Sequence, residues 1–411
     1  MYVIGSSKRN QYPIKIWMQA EDQLEEPCLL QAINLANLPF VHQWIALMPD
    51  AHVGKGMPIG GVLAAKNVLV PNAVGVDIGC GMSWRETQLD SMVLKNTFTN
   101  NGTLVQSLIG DIMRDIPLGK KHHNKRQLSI VLDEAMANKE LYGNETELLT
   151  EIEAAYCQIG TLGGGNHFIE LQEDEAGKVS IMLHSGSRNL GYKICNYFKD
   201  LAISKRAEWG STVPLDYYLD YLPADSKEGQ AYVNWMNLGL AFARENRERM
   251  MQVVCDRLER LLKRVGLSSP IYGKQVDCHH NYASFEHHFG QDVWVHRKGA
   301  IRAGEGEWGI IPGAMGMPSY LVIGRGNCES FLSCSHGAGR IMSRTKAKAQ
   351  FNMESVITDL KNIGVVLGKN KRSDVAEETR HAYKDIEHVI ENELDLIMPV
   401  KKLTTIGVVK G

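Results

Sequence analysis

Four histidines, an aspartate and a cysteine stand where short apolar runs give way to glycine-rich turns, and chemistry could be built from them. The string Val74–Met82 reads VGVDIGCGM and delivers Asp77 and Cys80 into a loop with glycines at 75, 79 and 81. Small neighbours let the backbone turn tightly, so both side chains can face one cavity. A carboxylate and a thiolate three residues apart are both metal ligands once deprotonated. Read alone, the string is better explained as an ordinary strand-end turn with a buried thiol. Three further strings shift the balance. His167 follows three glycines and Asn166 in LGGGNHFIE (162–170), His184 closes an apolar run in MLHSGSR (182–188), and CHHNY (278–282) carries His279 and His280. A single histidine at a strand end is more often a hydrogen-bonded structural residue. Three of them beside an Asp/Cys pair make a shared metal site the economical reading. Ligand softness suits zinc or iron, and a thiolate can also bridge two cations, so the residues leave one metal or two open.

His336 lies in SCSHGAGRIMSRTKAK (333–348), between an apolar run and a glycine pair. A neutral imidazole can attack phosphorus and form a phosphoramidate when cations offset the phosphate charge. The stretch after it is compatible with a helix, whose amino terminus would offer N–H groups to a phosphate. Arg340 and Arg344 would then share one face of that helix. The plainer alternative makes His336 a capping residue and the arginines a solvated face. No GxxxxGK[ST] string is present, so nucleotide phosphates would have to be held by another device. Further basic candidates are Arg188, Lys298 and Lys410, while Asp50, His52 and Lys55 in MPDAHVGK could support the site or touch RNA. Aromatic residues are 7% of the chain, which offers no evident stacking platform for single strands.

The elements that must position these groups are short. Apolar runs at Trp44–Met48, Val179–His184, Val293–His296 and Tyr320–Ile323 read as buried strands ending in glycine loops. Helical patterns cover Leu104–Ile116, Arg244–Val265 and Asp374–Ile397. Strands and helices interleave without βαβ regularity, so an α+β fold is expected, as one large domain over 1–411. Lys120–Arg126 (KKHHNKR) and Trp209–Gly229 read as surface excursions. The net charge of −2 means a polyanion would have to be held by local clusters. The eight cysteines form no CxxC pair, which argues against a disulfide framework and for a reducing, cytoplasmic setting. No apolar run approaches ~18 residues and no leader pattern opens the chain, so neither a membrane span nor export is expected.

Taken in order from residue 48 to residue 411, the strings MPDAHVGKG, VGVDIGCGM, LGGGNHFIE, HSGSR, CHHNY, RKGA, SCSHGAGRIMSRTKA, AYKDI and VVKG resemble the RtcB family of tRNA-splicing and RNA-repair ligases. The resemblance implies central sheets flanked by helices around a deep metal-containing cleft. It implies two manganese ions on Asp77, Cys80, His167, His184 and His280, with Cys80 bridging. His280 is taken over His279 because it directly precedes Asn281. It implies that His336 accepts GMP from GTP. Asn166, His167, Glu170, Ser319, Gly337, Ala338, Gly339, Tyr383 and Lys410 would hold the guanylate, and Arg188, Lys298, Arg340 and Arg344 would grip RNA phosphates. In the implied reaction a 2′,3′-cyclic phosphate opens to a 3′-phosphate, His336 passes GMP to it, and a 5′-hydroxyl attacks and releases GMP. A monomer is the default, with room for an activating protein partner. Ala314 departs from the hydroxyl residue expected there in some relatives. The competing readings are a metal-dependent phosphodiesterase or nuclease, which would not require His336 in its glycine–arginine setting, and a non-catalytic RNA-binding protein, which would not need five metal-capable side chains.

Overall fold

A computed structural model describes residues 1–19, 24–143, 146–369 and 375–411. The apolar runs pair into two main sheets. A six-stranded sheet runs in the order Tyr2–Ile4, Ile14–Ile16, Val41–His52, Ile59–Ala65, Gln291–Lys298, Asn281–His288. An eight-stranded sheet runs Tyr272–His279, Gly81–Asp90, Lys178–Ser185, Phe168–Asp174, Ile397–Lys410, Ser319–Gly324, Trp308–Ile311, with Val366–Gly368 parallel to the end of Ile397–Lys410. Lys178–Ser185 is buried at every position but the first, as expected of a strand covered on both faces. The expected α+β architecture is what the chain adopts.

Helices cover the large sheet. Leu104–Asp115 opens with a capping box between Thr103 and Gln106 and buries Leu104, Val105, Leu108, Ile109 and Ile112. The long helix expected from Arg244 begins earlier, at Lys227, capped by Ser226, and runs 38 residues to Arg264. Tyr232, Trp235, Met236 and Phe242 extend its buried face ahead of Arg244, and its first residues, 227–229, fall in the stretch expected as a surface excursion. At ~1.5 Å per residue it is roughly 57 Å long, enough to cross the molecule. It packs on Gly81–Asp90 and Lys178–Ser185. The helix expected over Asp374–Ile397 does not form. Residue 374 lies outside the described residues, and the remainder breaks into single turns at Ala376–Glu378 and Arg380–Ala382 and a short helix, Ile386–Glu391. There the acidic side chains of Glu378 and Glu393 turn inward to partners instead of lining a solvated face. The excursion 209–229 is likewise partly packed, with Leu219 and Leu222 fully buried.

Register decides where chemistry can gather. Gly81 pairs with both Ser185 and His279, His184 with Met82 and Phe168, and Phe168 with Lys410. One end of the large sheet therefore collects Cys80, His167, His184 and Lys410. His280 is the single residue between Tyr272–His279 of the large sheet and Asn281–His288 of the smaller one. Its N–H donates to the Cys80 carbonyl at 2.9 Å, and its own carbonyl accepts from Gly299 at 2.8 Å, so the corner is tied to both sheets.

Candidate active site

Cys80, His167 and His184 are buried, and their ligating atoms lie within 4.8 Å of one another. Cys80 Sγ stands 3.2 Å from His184 Nε2 and 3.4 Å from His167 Nε2. His280 Nε2 is 3.0 Å from His184 Nε2, and Asp77 Oδ2 is 3.2 Å from His167 Nε2. All five residues named for metal binding thus meet in one place. Each imidazole is fixed from behind: His167 Nδ1 by the Leu162 carbonyl at 2.8 Å, His184 Nδ1 by the Asn166 carbonyl at 3.2 Å, and His280 Nδ1 by Asn281 Oδ1 at 3.3 Å. An oxygen acceptor at Nδ1 leaves the lone pair on Nε2, so bare nitrogens converge on a thiol and a carboxylate. Burial, and then neighbouring imidazoles, push His184 and His280 well below the usual histidine range, which keeps both neutral. Asp77 Oδ1 is buried without a hydrogen-bond partner. Facing lone pairs 3.0 Å apart and an orphan carboxylate oxygen fit a divalent cation, which would satisfy both.

His336 faces this cluster, its ring centroid 4.7 Å from that of His280. Asp50 sits at the end of Val41–His52 and is fully buried. Its Oδ2 accepts from His336 Nδ1 at 2.6 Å and from the His336 backbone N–H at 3.1 Å. That carboxylate fixes the Nδ1–H tautomer and leaves Nε2 as the free nucleophilic atom. Lys384 Nζ donates to the carbonyls on either side of Asp50, at Pro49 and Ala51, both at 2.9 Å. Buried Glu393 takes the Ser335 backbone N–H at 2.9 Å and also its hydroxyl. The strand Ser333–Ser335 also pairs antiparallel with Ala300–Arg302, and His336 emerges from its end.

The helix expected to begin at His336 begins instead at Arg344, capped by Ser343. Gly339 has φ +73°, and a Cβ there would stand 2.3 Å from the Asp50 carbonyl, so the chain folds against Asp50 in a form no helix can take. Arg340 and Arg344 therefore do not share a helical face. Both turn to Glu378, whose carboxylate accepts from Arg344 Nε at 3.1 Å and from the Tyr383 hydroxyl at 2.7 Å, with Lys410 Nζ at 3.4 Å. Arg340 donates to the Tyr383 hydroxyl at 2.8 Å and lies 3.5 Å from Glu378. Burial opposes ionisation of Glu378, but Lys410, Arg344, Tyr383 and Arg340 outweigh it and hold the carboxyl at about 2.

These groups line a cleft of about 610 Å³, with Asn166, Phe168, Glu170, Ala314 and the run His336–Arg340. That volume is in the range of small-ligand sites. Ser319 stands behind the lining, its hydroxyl accepting from Gly313 at 3.2 Å and from Gln172 Nε2 at 3.3 Å. Gln172 also donates to Glu170 at 2.8 Å, and burial pushes the Glu170 carboxyl up to about 7 against that bond and one from Thr405. Two of the proposed phosphate grips are committed within the protein. Arg188 donates to Thr161 Oγ1 and the Gly119 carbonyl, both at 2.9 Å, and Lys298 to the carbonyls of Lys55 at 2.7 Å and Asn72 at 2.9 Å.

Several supporting residues escaped the sequence reading. Arg247, fully buried on the long helix, is bidentate to Asp277 at 2.7 Å and donates to the carbonyls of Gly79 at 2.9 Å and Ser185 at 3.0 Å. One guanidinium thus touches the chain beside Cys80 and beside His184, and holds the strand that leads to His280. Asn246 next to it takes the N–H groups of Gly160 at 2.7 Å and Thr161 at 3.1 Å and donates to the Gly186 carbonyl at 3.1 Å. The signal was spacing: both fall among Phe242, Ala243 and Met250 on the apolar stripe. Glu378 and Glu393 carried no such signal.

A family model described as tRNA-splicing ligase RtcB matches residues 31–411. The RNA-splicing ligase RtcB of Escherichia coli strain K12 is 39% identical, over 97% of this chain and 97% of its own length. The tRNA-splicing ligase RtcB of Nanoarchaeum equitans is 32% identical over 100% and 98% of the two chains, and that of Methanococcus maripaludis 32% over 95% and 92%. With the family pattern spanning the sheets, the buried ligand cluster and the cleft alike, the chain belongs to the RtcB family.

Proposed function

We propose that this chain is an RNA ligase that uses GTP and manganese to join a 3′-phosphate or 2′,3′-cyclic phosphate end to a 5′-hydroxyl end. The observation that carries this is His336. Its Nδ1 is held by Asp50 and its Nε2 is free, at the mouth of a nucleotide-sized cleft beside the ligand cluster. A hydrolase that activates water needs no such imidazole. In this reading Nε2 of His336 attacks the α-phosphorus of GTP. A P–N bond forms, the bond to the β-phosphate oxygen breaks, and pyrophosphate leaves. Asp50 stabilises the cationic imidazole that results. A cyclic end is first opened by water, which adds to phosphorus as the bond to O2′ breaks. An oxygen of the resulting RNA 3′-phosphate attacks the guanylate phosphorus, the P–N bond breaks and neutral His336 is restored. The 5′-hydroxyl finally attacks the activated 3′-phosphate, which releases GMP and seals the strand. Divalent cations held by Asp77, Cys80, His167, His184 and His280 would offset the charge gathered at each transfer. Lys410, Arg340 and Arg344, set around Glu378, would orient phosphates at the cleft, and Glu170 would accept N–H groups of guanine.

Incubation with α-labelled GTP and Mn²⁺ tests this. The expected result is covalent label in an acid-labile bond, lost in His336→Ala and slowed on the order of 100-fold in Asp50→Asn, which keeps the shape but not the charge at Nδ1. Joining of RNA by protein that never takes label would overturn the mechanism.

A further inference from the structure

After the helix Leu104–Asp115 the chain runs KKHHNKR from Lys120 to Arg126. The loop is exposed yet fastened at intervals. Leu162 N–H donates to the Pro117 carbonyl at 3.0 Å, Gly119 N–H to Gly163 at 2.8 Å, and His123 and Gln127 N–H to Cys157 and Tyr156, both at 2.9 Å. Arg126 is spent within the protein, stacked on Tyr156 at 3.5 Å and paired with Asp133 and Glu153. Lys120, Lys121 and Lys125 are different. They are exposed, and among the described residues no carboxylate stands within ion-pair distance of them. Unpaired lysines on a loop are common, so their placement has to decide.

The placement is specific. Gly119 is bonded to Gly163, the glycine whose missing Cβ would stand 2.5 Å from His167 Nδ1 and 2.4 Å from the Arg188 guanidinium. The Cβ position of Gly164 is 3.6 Å from Gly119 Cα, and that of Gly165 is 3.1 Å from the Arg344 guanidinium. Arg344 lines the cleft. The lysines thus follow directly on Gly119, which is bonded to the glycine loop that leads to His167, and Arg344, paired with Glu378, stands against the same loop at the edge of the cleft. The chain as a whole has a net charge of −2, so three exposed lysines within six residues are a local departure.

We infer that the Lys120–Lys125 loop is a docking surface for the sugar–phosphate backbone of a single RNA strand, holding nucleotides beyond the end that reacts. This rests on the RNA-joining reading of the cleft. Lysines on flexible stems act as point charges on phosphate, so the grip would be indifferent to sequence.

The test uses the full chain with Lys120, Lys121 and Lys125 all changed to Gln, and a single-stranded RNA oligonucleotide bearing a 3′-phosphate. Expected are a fall in RNA affinity of about tenfold or more and a slope of log K against log salt smaller by about 2, from ~0.7 per phosphate contact. KM for RNA should rise while self-labelling by GTP is unchanged. A second triple variant, Lys8, Lys263 and Lys361 to Gln, removes equal charge from other exposed positions. Wild-type affinity and slope in the loop variant, or an equal loss in the second variant, would overturn the proposal. So would competition by polyglutamate as effective as that by RNA, which would assign the loop to an acidic protein. Failure of the unaltered protein to take label or join RNA would instead sink the ligase reading, and the binding comparison would still judge the loop.

Discussion

Two buried carboxyls around His336 behave in opposite ways, and partners explain the difference. Glu378 lies among Lys410, Arg344, Arg340 and Tyr383 and is held at about 2, whereas Glu393, bonded to Ser335 with Asp50 and Asp395 nearby, is pushed by burial up to about 8. A carboxyl whose folded value is raised binds its proton more tightly in the native state, so its contribution to stability is complete below the ordinary value near 4.5 and is lost as pH rises toward 8. Glu170, raised to about 7, acts in the same direction over a narrower window. Glu393 and Glu170 therefore weaken the fold as pH rises from 5 to 8, while the buried neutral histidines, His184 and His280 among them, strengthen it over the lower part of that range. Glu393→Gln, which cannot ionise, should gain melting temperature relative to the unaltered protein as pH rises. Thermal denaturation of both proteins at pH 5 and pH 8 measures it, and a difference between variant and unaltered protein that is the same at both pH values would count against this account.

At the scale of elements, the ligand set comes from strand ends that a single helix fastens together. Arg247→Met removes every bond that the guanidinium makes to Asp277, Gly79 and Ser185. Stripping a buried carboxylate of its partner costs about 3–5 kcal/mol. Changing Asp277 to Asn in the same protein should restore much of that stability. It should not restore cation affinity, expected to drop ~10–100-fold, because the loops beside Cys80 and His184 remain unfastened. Titration with Co²⁺, read at its thiolate absorption band, separates the two effects. Recovery of affinity together with stability would show Arg247 to be a packing residue alone. The same elements show what was readable in the sequence. The ligands were legible because they stand at junctions where an apolar run meets glycine, a local pattern. Arg247 was not, because an arginine in an Arg/Glu-rich helix looks solvated until the face it shares with Phe242 and Met250 is known to be inside. The helix forecast after His336 failed on Gly339, whose positive φ is imposed by contact with Asp50, a residue far away in sequence. The long helix forecast from Asp374 failed because its acidic residues answer to distant partners, Arg344 and Ser335.

Over the whole molecule, the two sheets meet at the ligand cluster, so a cation bound there should brace them against each other. Among the described residues no helix is long and apolar enough to cross a membrane. Mn²⁺ at ~100 times its dissociation constant adds about 2.7 kcal/mol, which for a chain of 411 residues is a rise of about 3 °C in Tm. The rise should vanish with a chelator and in Cys80→Ala or His184→Ala. An unchanged rise in both variants would place the bound cation elsewhere.

The corner at His280 also governs which edits the scaffold would tolerate. Side chains alternate along extended chain, so His279 turns to Arg247 and the Gly79 carbonyl while His280 turns to His184. Adding one residue within Tyr272–His279 would bring His279 inward and set Cys278 against the guanidinium, and deleting one would bring Asn281 inward and set His280 there, with composition hardly altered. Loop grafts and insertions belong at the far ends of these strands, where a slip of one position reverses no ligand.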